Sequence, residues 1–156
     1  MYRTFSQKGF SAIETLMVVA IGIILAGVII AKYSSFRETQ SLSNTVEEVV
    51  ALLNEAHNRT LSGDNGVGYG VHLETSKAVL FQGTTYSSTA STNKTLTIES
   101  PVVLASISLA GSGAEVKFDQ LTGDTSQYGT FIVKLSSTTI GQKTITVSKT
   151  GIVSSN

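Results

Sequence analysis

From Thr15 to Ala31 no charged residue interrupts the sequence, and the runs Leu16–Ile21 and Val28–Ile30 are almost wholly aliphatic. Taken as a helix from Phe10 to Ala31, this stretch is about 33 Å long at ~1.5 Å per residue. That length matches a bilayer core of about 30 Å. Eleven Leu, Ile and Val residues lie between Ile13 and Ile30. At about −0.3 to −0.6 kcal/mol each, they favour insertion by roughly 3–7 kcal/mol. The segment has the chemistry to reside in a membrane.

Three readings of this segment compete: a cleaved secretory signal, a plain signal anchor, and a membrane segment exposed by clipping ahead of it. A secretory signal ends its short apolar core in a polar, small-residue cleavage region. Here the run is long and ends Ile29-Ile30-Ala31-Lys32. Arg3 and Lys8 precede it and favour a cytoplasmic N-terminus, although Lys32 and Arg37 beyond it oppose that preference. Glu14 separates the readings. A carboxylate costs about 2.5–3.5 kcal/mol at the centre of a membrane helix, less near its end, and usually has a partner. The nearest cations in sequence are Lys8 and Lys32. A cut after Gly9 would give Phe10 an α-ammonium, and the Glu14 carboxylate of a neighbouring subunit would then have an opposite charge to meet.

Lys8-Gly9-Phe10-Ser11-Ala12-Ile13-Glu14, followed at once by the apolar run, resembles the prepilin signal of type IV pilins and type II secretion pseudopilins. The resemblance implies cleavage by a prepilin peptidase between Gly9 and Phe10, N-methylation of Phe10, retention of the apolar helix, and a role for Glu14 in subunit assembly. The implied partners are other pilin-like subunits, the prepilin peptidase, an inner-membrane assembly platform, and lipid before assembly. The implied location is the cytoplasmic (inner) membrane as a single-pass precursor, then a periplasmic pseudopilus or an extracellular filament. Gly22 and Gly27 are spaced i, i+5, so they form no GxxxG face.

Beyond Lys32, Leu42, Val46, Val49, Val50, Leu53, Ala56 and His57 recur at three- and four-residue steps, which predicts one buried helix face. The helix is expected to end before Gly63, with weak points at Ser34-Ser35 or at Ser41–Asn44, where Asn44 and Glu47 or Glu48 resemble a capping arrangement. From Gly63 the period shortens. Strands are predicted at Tyr69–Leu73, Ala78–Gln82, Leu96–Ile98, Val102–Leu109, Glu115–Phe118, Thr130–Leu135, Thr144–Val147 and Ile152–Val153. Thr84–Thr95, rich in Ser and Thr, reads as a solvated hairpin loop. The predicted fold class is α+β, a long N-terminal helix packed on a C-terminal antiparallel β-sheet domain. Its parts are a leader at 1–9, a transmembrane and polymerisation helix at 10–31, an amphipathic helix at 32–62, and a β-rich head at 63–156. This order resembles the H-type minor pseudopilins and their FimT-like relatives. The carrying residues are Glu55-Ala56, Tyr69-Gly70-Val71-His72-Leu73, Leu80-Phe81, Phe118 with Leu121-Thr122-Gly123, and Ile145-Thr146-Val147-Ser148-Lys149-Thr150-Gly151.

Other chemistries find little support. The chain has no cysteine and two histidines, which argues against disulfides and against a zinc site of the usual ligands. No cofactor and no catalytic activity are expected, since neither G-x-S-x-G nor H-E-x-x-H occurs. His57 reads as a packed helix histidine, and His72 lies in no nucleophile motif. Val67-Gly68-Tyr69-Gly70 echoes a potassium-filter tetrapeptide, but filters sit between two membrane spans, so it reads as a turn entering a strand. Asp119 and Asp124 offer oxygen ligands for calcium, yet a polar turn accounts for them. The formal net charge is zero, a poor footprint for nucleic acid. Lys134, Lys143 and Lys149 nevertheless keep open a FimT-like alternative that binds DNA during natural transformation. A further alternative is a membrane-anchored surface-binding protein that never polymerises.

Overall fold

A computed structural model describes residues 9–111, 113–136 and 141–156, the side chains of residues 30–32 and 34 excepted. Arg3 and Lys8 lie outside the described residues. The chain divides into two units, Met1–Arg37 and Glu38–Asn156. Helix α1 runs Ala12–Leu61 and supplies residues to both.

In the first unit, α1 begins after Ser11, whose carbonyl accepts the Thr15 N–H at 3.2 Å. Every described side chain from Phe10 to Ile29 is exposed. Ala12–Ile29 is long and apolar enough to cross a membrane. Ser34 and Ser35 are helical, so the expected weak point there is absent.

In the second unit, Ser41–Asn44 is also helical. Asn44 caps nothing. Its Oδ1 instead accepts from Gln40 Nε2 at 2.9 Å, one turn earlier, a pairing that stabilises a continuing helix. The buried face comprises Leu42, Val46, Val49, Leu52, Leu53 and Ala56, while Val50 and His57 are half-buried. Leu52, outside the predicted set, widens the stripe, as a helix facing a broad core requires. The helix stops at Leu61, and Gly63 then turns the chain with φ 67°, a conformation glycine adopts without steric cost.

Eight strands follow: β1 Tyr69–Glu74, β2 Lys77–Gln82, β3 Lys94–Thr97, β4 Val102–Leu109, β5 Glu115–Lys117, β6 Gly129–Leu135, β7 Gln142–Val147 and β8 Val153–Ser155. They form two four-stranded sheets, in the orders β3-β2-β1-β5 and β4-β6-β7-β8. All pairings are antiparallel. The split follows β3: the chain leaves the first sheet there, and β4 pairs with β6. One apolar cluster joins the helix face to Val71, Leu73, Leu80 and Val116 of the first sheet and to Phe131, Val133 and Ile145 of the second.

Strand β2 is buried on both faces. Ala78 and Leu80 belong to the core cluster, whereas Val79 and Phe81 face the other way and are equally enclosed. Gly70, opposite Phe81 in the register, leaves room for its ring: a Cβ at Gly70 would lie 2.7 Å from Phe81 Cζ. Tyr86, from the loop after β2, packs beside Phe81 at 5.7 Å between ring centroids. The Ser/Thr-rich loop is therefore mostly exposed but not wholly solvated, because one aromatic side chain anchors it to the sheet.

Thr60 ties the helix end to β1. It is fully buried; its hydroxyl donates to Ala56 O at 2.8 Å and accepts from Tyr69 N–H at 2.9 Å. The Tyr69 hydroxyl donates to Asp64 Oδ2 and accepts from Asn65 Nδ2, both at 3.0 Å. Replacing Thr60 with valine keeps the shape but leaves the buried Tyr69 N–H unpaired. Thr60→Val is expected to lower stability by about 1–3 kcal/mol, read as a reduced urea midpoint with an unchanged m-value for the detergent-solubilised protein.

Candidate functional site

Two places gather the residues singled out by sequence. The first is the N-terminal end of α1. Gly9 and Phe10 precede the helix and are exposed, Phe10 at 84%. Their shared peptide bond thus lies in non-helical chain, the form in which a protease engages a backbone. A side chain added at Gly9 would meet nothing within 4 Å. Glu14 occupies the first turn of α1, where unpaired backbone N–H groups favour a carboxylate by about 0.3–1 kcal/mol. The residues three and four positions away are Phe10, Ser11, Met17 and Val18, none of them a cation. Among the described residues it has no ion pair.

The second place is the seat of His57, where motifs far apart in sequence converge. Its imidazole meets Phe118 edge-on, 5.2 Å between centroids. Gly123 and Gly151 close the other sides, both at φ 72°. A Cβ on Gly123 would lie 2.5 Å from His57 Nε2, and one on Gly151 would lie 2.7 Å from His57 Cδ2. The Leu121-Thr122-Gly123 and Lys149-Thr150-Gly151 segments are thus turns shaped to admit the helix histidine. A backbone bond from Thr125 N–H to Lys149 O, at 2.8 Å, ties the two turns together. The half-buried His57 ring is packed between these turns.

His72 points from the outer face of the first sheet. Its ring stacks on Tyr86 at 4.0 Å, with Nε2 3.5 Å from Glu74 Oε1 and Nδ1 3.3 Å from Glu115 Oε1. Sequence reasoning missed this seat; a lone tyrosine in a Ser/Thr-rich loop was the available signal. Asp119 and Asp124 close a polar turn through their backbones, Asp119 N–H donating to Asp124 O at 2.8 Å. Among the described residues no group of three His, Cys, Asp or Glu side chains gathers to hold a metal ion. The three lysines weighed for DNA do not share a face. Lys134 has the outward parity of Ile132, Lys143 lies opposite the buried Val133, and Lys149 sits beyond β7 with its Nζ 4.7 Å from the Tyr128 ring centroid.

An apolar N-terminal helix whose amphipathic continuation is roofed by antiparallel sheet is the fold of the type IV pilins. The chain is similar to the crystal structure of the type IV minor pilin FimU of Pseudomonas aeruginosa, with a TM-score of 0.59 over 78% of this chain and 92% of that one. At 14% identity the likeness carries the fold and not the H-type subfamily. No protein-family model and no curated protein sequence matches the chain.

The close approach at His57 has a measurable consequence. Gly123→Ala is expected to destabilise the protein by at least about 1–2 kcal/mol, the cost of holding an L-residue in the left-handed region, with the imidazole clash in addition. Thermal unfolding followed by circular dichroism would show it as a lowered midpoint.

Proposed function

We propose that this chain is a structural subunit of a type IV pilus-like filament or of a type II secretion pseudopilus. The observation that carries this reading is a lone carboxylate in the first turn of α1, at the head of its apolar stretch Ala12–Ile29, joined in one chain to a head with the pilin fold. In this reading residues 1–9 are a leader removed by prepilin peptidase, and Phe10 becomes the N-methylated mature terminus. Residues 10–31 hold the precursor in the cytoplasmic membrane and later form the polymer core. Residues 32–62 seat the head, 63–156. The partners are other pilin-like subunits, the peptidase and an inner-membrane assembly platform.

The physical logic lies in Glu14. Lipid tolerates the apolar helix, but a carboxylate there is costly without a partner. In a bundle of processed subunits, the α-ammonium of one Phe10 neutralises the Glu14 of its neighbour. Register is then set by charge while burial is supplied by the aliphatic residues.

Two measurements test this. Gly9→Val, which meets no obstacle within the chain itself, is expected to leave unprocessed precursor in the membrane when the protein is co-expressed with a prepilin peptidase. Intact-mass measurement distinguishes the forms, and an N-methylated phenylalanine terminus on the unsubstituted protein is the expected product. A terminus still at Met1 would assign the chain to a non-polymerising anchor instead, and one near Ala31 to a cleaved secretory signal. Glu14→Leu is expected to preserve membrane insertion yet abolish filament recovery. It strands the neighbouring ammonium, at a cost of about 3–5 kcal/mol per contact; undiminished filament yield would contradict the pairing.

A further inference from the structure

A strand at the edge of a sheet presents unpaired N–H and C=O groups, and proteins usually blunt such edges. Among the described residues the two sheets have four edges: β3 and β5 on the first, β4 and β8 on the second. On β5, the outward Lys117 N–H is taken by Gln127 Oε1 at 3.3 Å. On β4, the Val102 N–H donates to Glu99 O and the Leu104 N–H to Thr75 O, both at 3.0 Å. Register then shifts between Ala105 and Ser108, around Ser106 at φ 51°. Strand β8 is three residues long.

Strand β3 is also short, at four residues beginning with Lys94, but among the described residues no hydrogen bond takes its outward N–H groups. The Ile98 N–H donates to Ser76 O at 2.8 Å, so by antiparallel alternation Leu96 and Lys94 also bond toward β2, opposite Ala78 and Leu80. The backbone N–H and C=O of Thr95 and Thr97 therefore point away from β2. Both residues are exposed.

Beside this edge runs a groove against α1. Two adjoining hollows of about 280 and 380 Å³ share Glu48 and Leu96 in their linings. Leu52 and Leu96 provide the apolar lining. Glu48 and Glu99 are exposed and have no ion pair among the described residues. Glu55, by contrast, is already committed to Lys94 at 2.6 Å and to Arg59 at 2.9 Å.

We propose that the β3 edge and its groove take an extended segment of a partner polypeptide as a fifth strand. The chemistry of the site defines the segment. Its backbone pairs with Thr95 and Thr97, and its alternate side chains enter the groove, an apolar one over Leu52 and Leu96 and a cationic one beside Glu48 and Glu99. Main-chain bonds supply affinity in such strand addition, and the alternating side chains supply selectivity. The site lies wholly in the head and is independent of leader processing and of Glu14, so it stands or falls separately from the filament reading.

The test uses the full chain in zwitterionic detergent and a fluorescein-labelled octapeptide with threonine at odd positions and valine and lysine by turns at even ones. A control peptide carries glutamate in place of lysine. By fluorescence polarisation at low salt, the lysine peptide is expected to bind about tenfold or more tightly than the control. Thr95→Pro removes one outward N–H at a position where an edge strand tolerates proline, and is expected to weaken binding about tenfold. Combining Glu48→Gln with Glu99→Gln leaves the backbone untouched, and is expected to weaken binding and flatten its salt dependence. Absence of binding by the lysine peptide, equal binding of the two peptides, or indifference to Thr95→Pro with the circular dichroism spectrum retained would overturn the proposal. So would self-association of the chain that Thr95→Pro abolishes, since that outcome gives the edge to a second copy.

Discussion

Val49, Leu53 and Ala56 have no solvent exposure at all, and the head is organised around that fact. They occupy one stripe of α1 and belong to the same apolar cluster as Val71 and Val116 of the first sheet and Phe131, Val133 and Ile145 of the second. Neither sheet has four long strands: β3, β5 and β8 are three or four residues each. Short strands offer few cross-strand contacts of their own, so much of their stability comes from the shared apolar face. Removing side chains from the helix stripe would loosen both sheets together, since each buried aliphatic contributes about 1.5–3 kcal/mol on leaving water.

Around that core, two polar or crowded junctions convert a packed layer into a specific one. Thr60 is buried and serves both the helix carbonyl ladder and the first residue of β1. Close by on the same helix end, the His57 ring fills the space that two positive-φ glycines leave open. Gly123 and Gly151 lie in different connections, and a Cβ at either would collide with the same imidazole. Among the described residues the first unit shows no comparable buried junction. Its aliphatic side chains are exposed from Phe10 to Ile29, a surface compatible with lipid or with copies of the same helix.

Much of this organisation was legible in the residues themselves. The β4 bounds were predicted as observed, and the other strands differ from expectation by one or two residues at their ends. Alternation marks strand positions well because burial on one face imposes it. The helix-capping reading at Asn44 failed for a local reason. A side chain that caps a helix start bonds equally well within a continuing helix, and Gln40 four residues earlier supplied the partner. The Ser/Thr-rich loop was read by composition, which is blind to the single Tyr86 that stacks on His72. At the N-terminus, Gly9, Phe10 and Glu14 were legible as a constellation because an acid in an apolar run has few explanations. The roles proposed for them depend on a second molecule, so the isolated chain displays only their accessibility.

What the sequence determined by itself was periodicity and its interruptions: a membrane-length apolar run, a helix with one buried stripe, then short alternating strands separated by turn residues. Those are local properties, carried by neighbouring side chains and by the steric needs of glycine. The tertiary structure alone decided that the strands divide into two sheets, that His57 brings together turns from Gly123 and Gly151, and that the outer face of β2 is covered by its own loop. It also decided which sheet edges are blunted and which is open. Strand pairing is a choice among edges with nearly identical backbone chemistry. That choice is settled by which combination buries the helix stripe and satisfies every enclosed N–H at once.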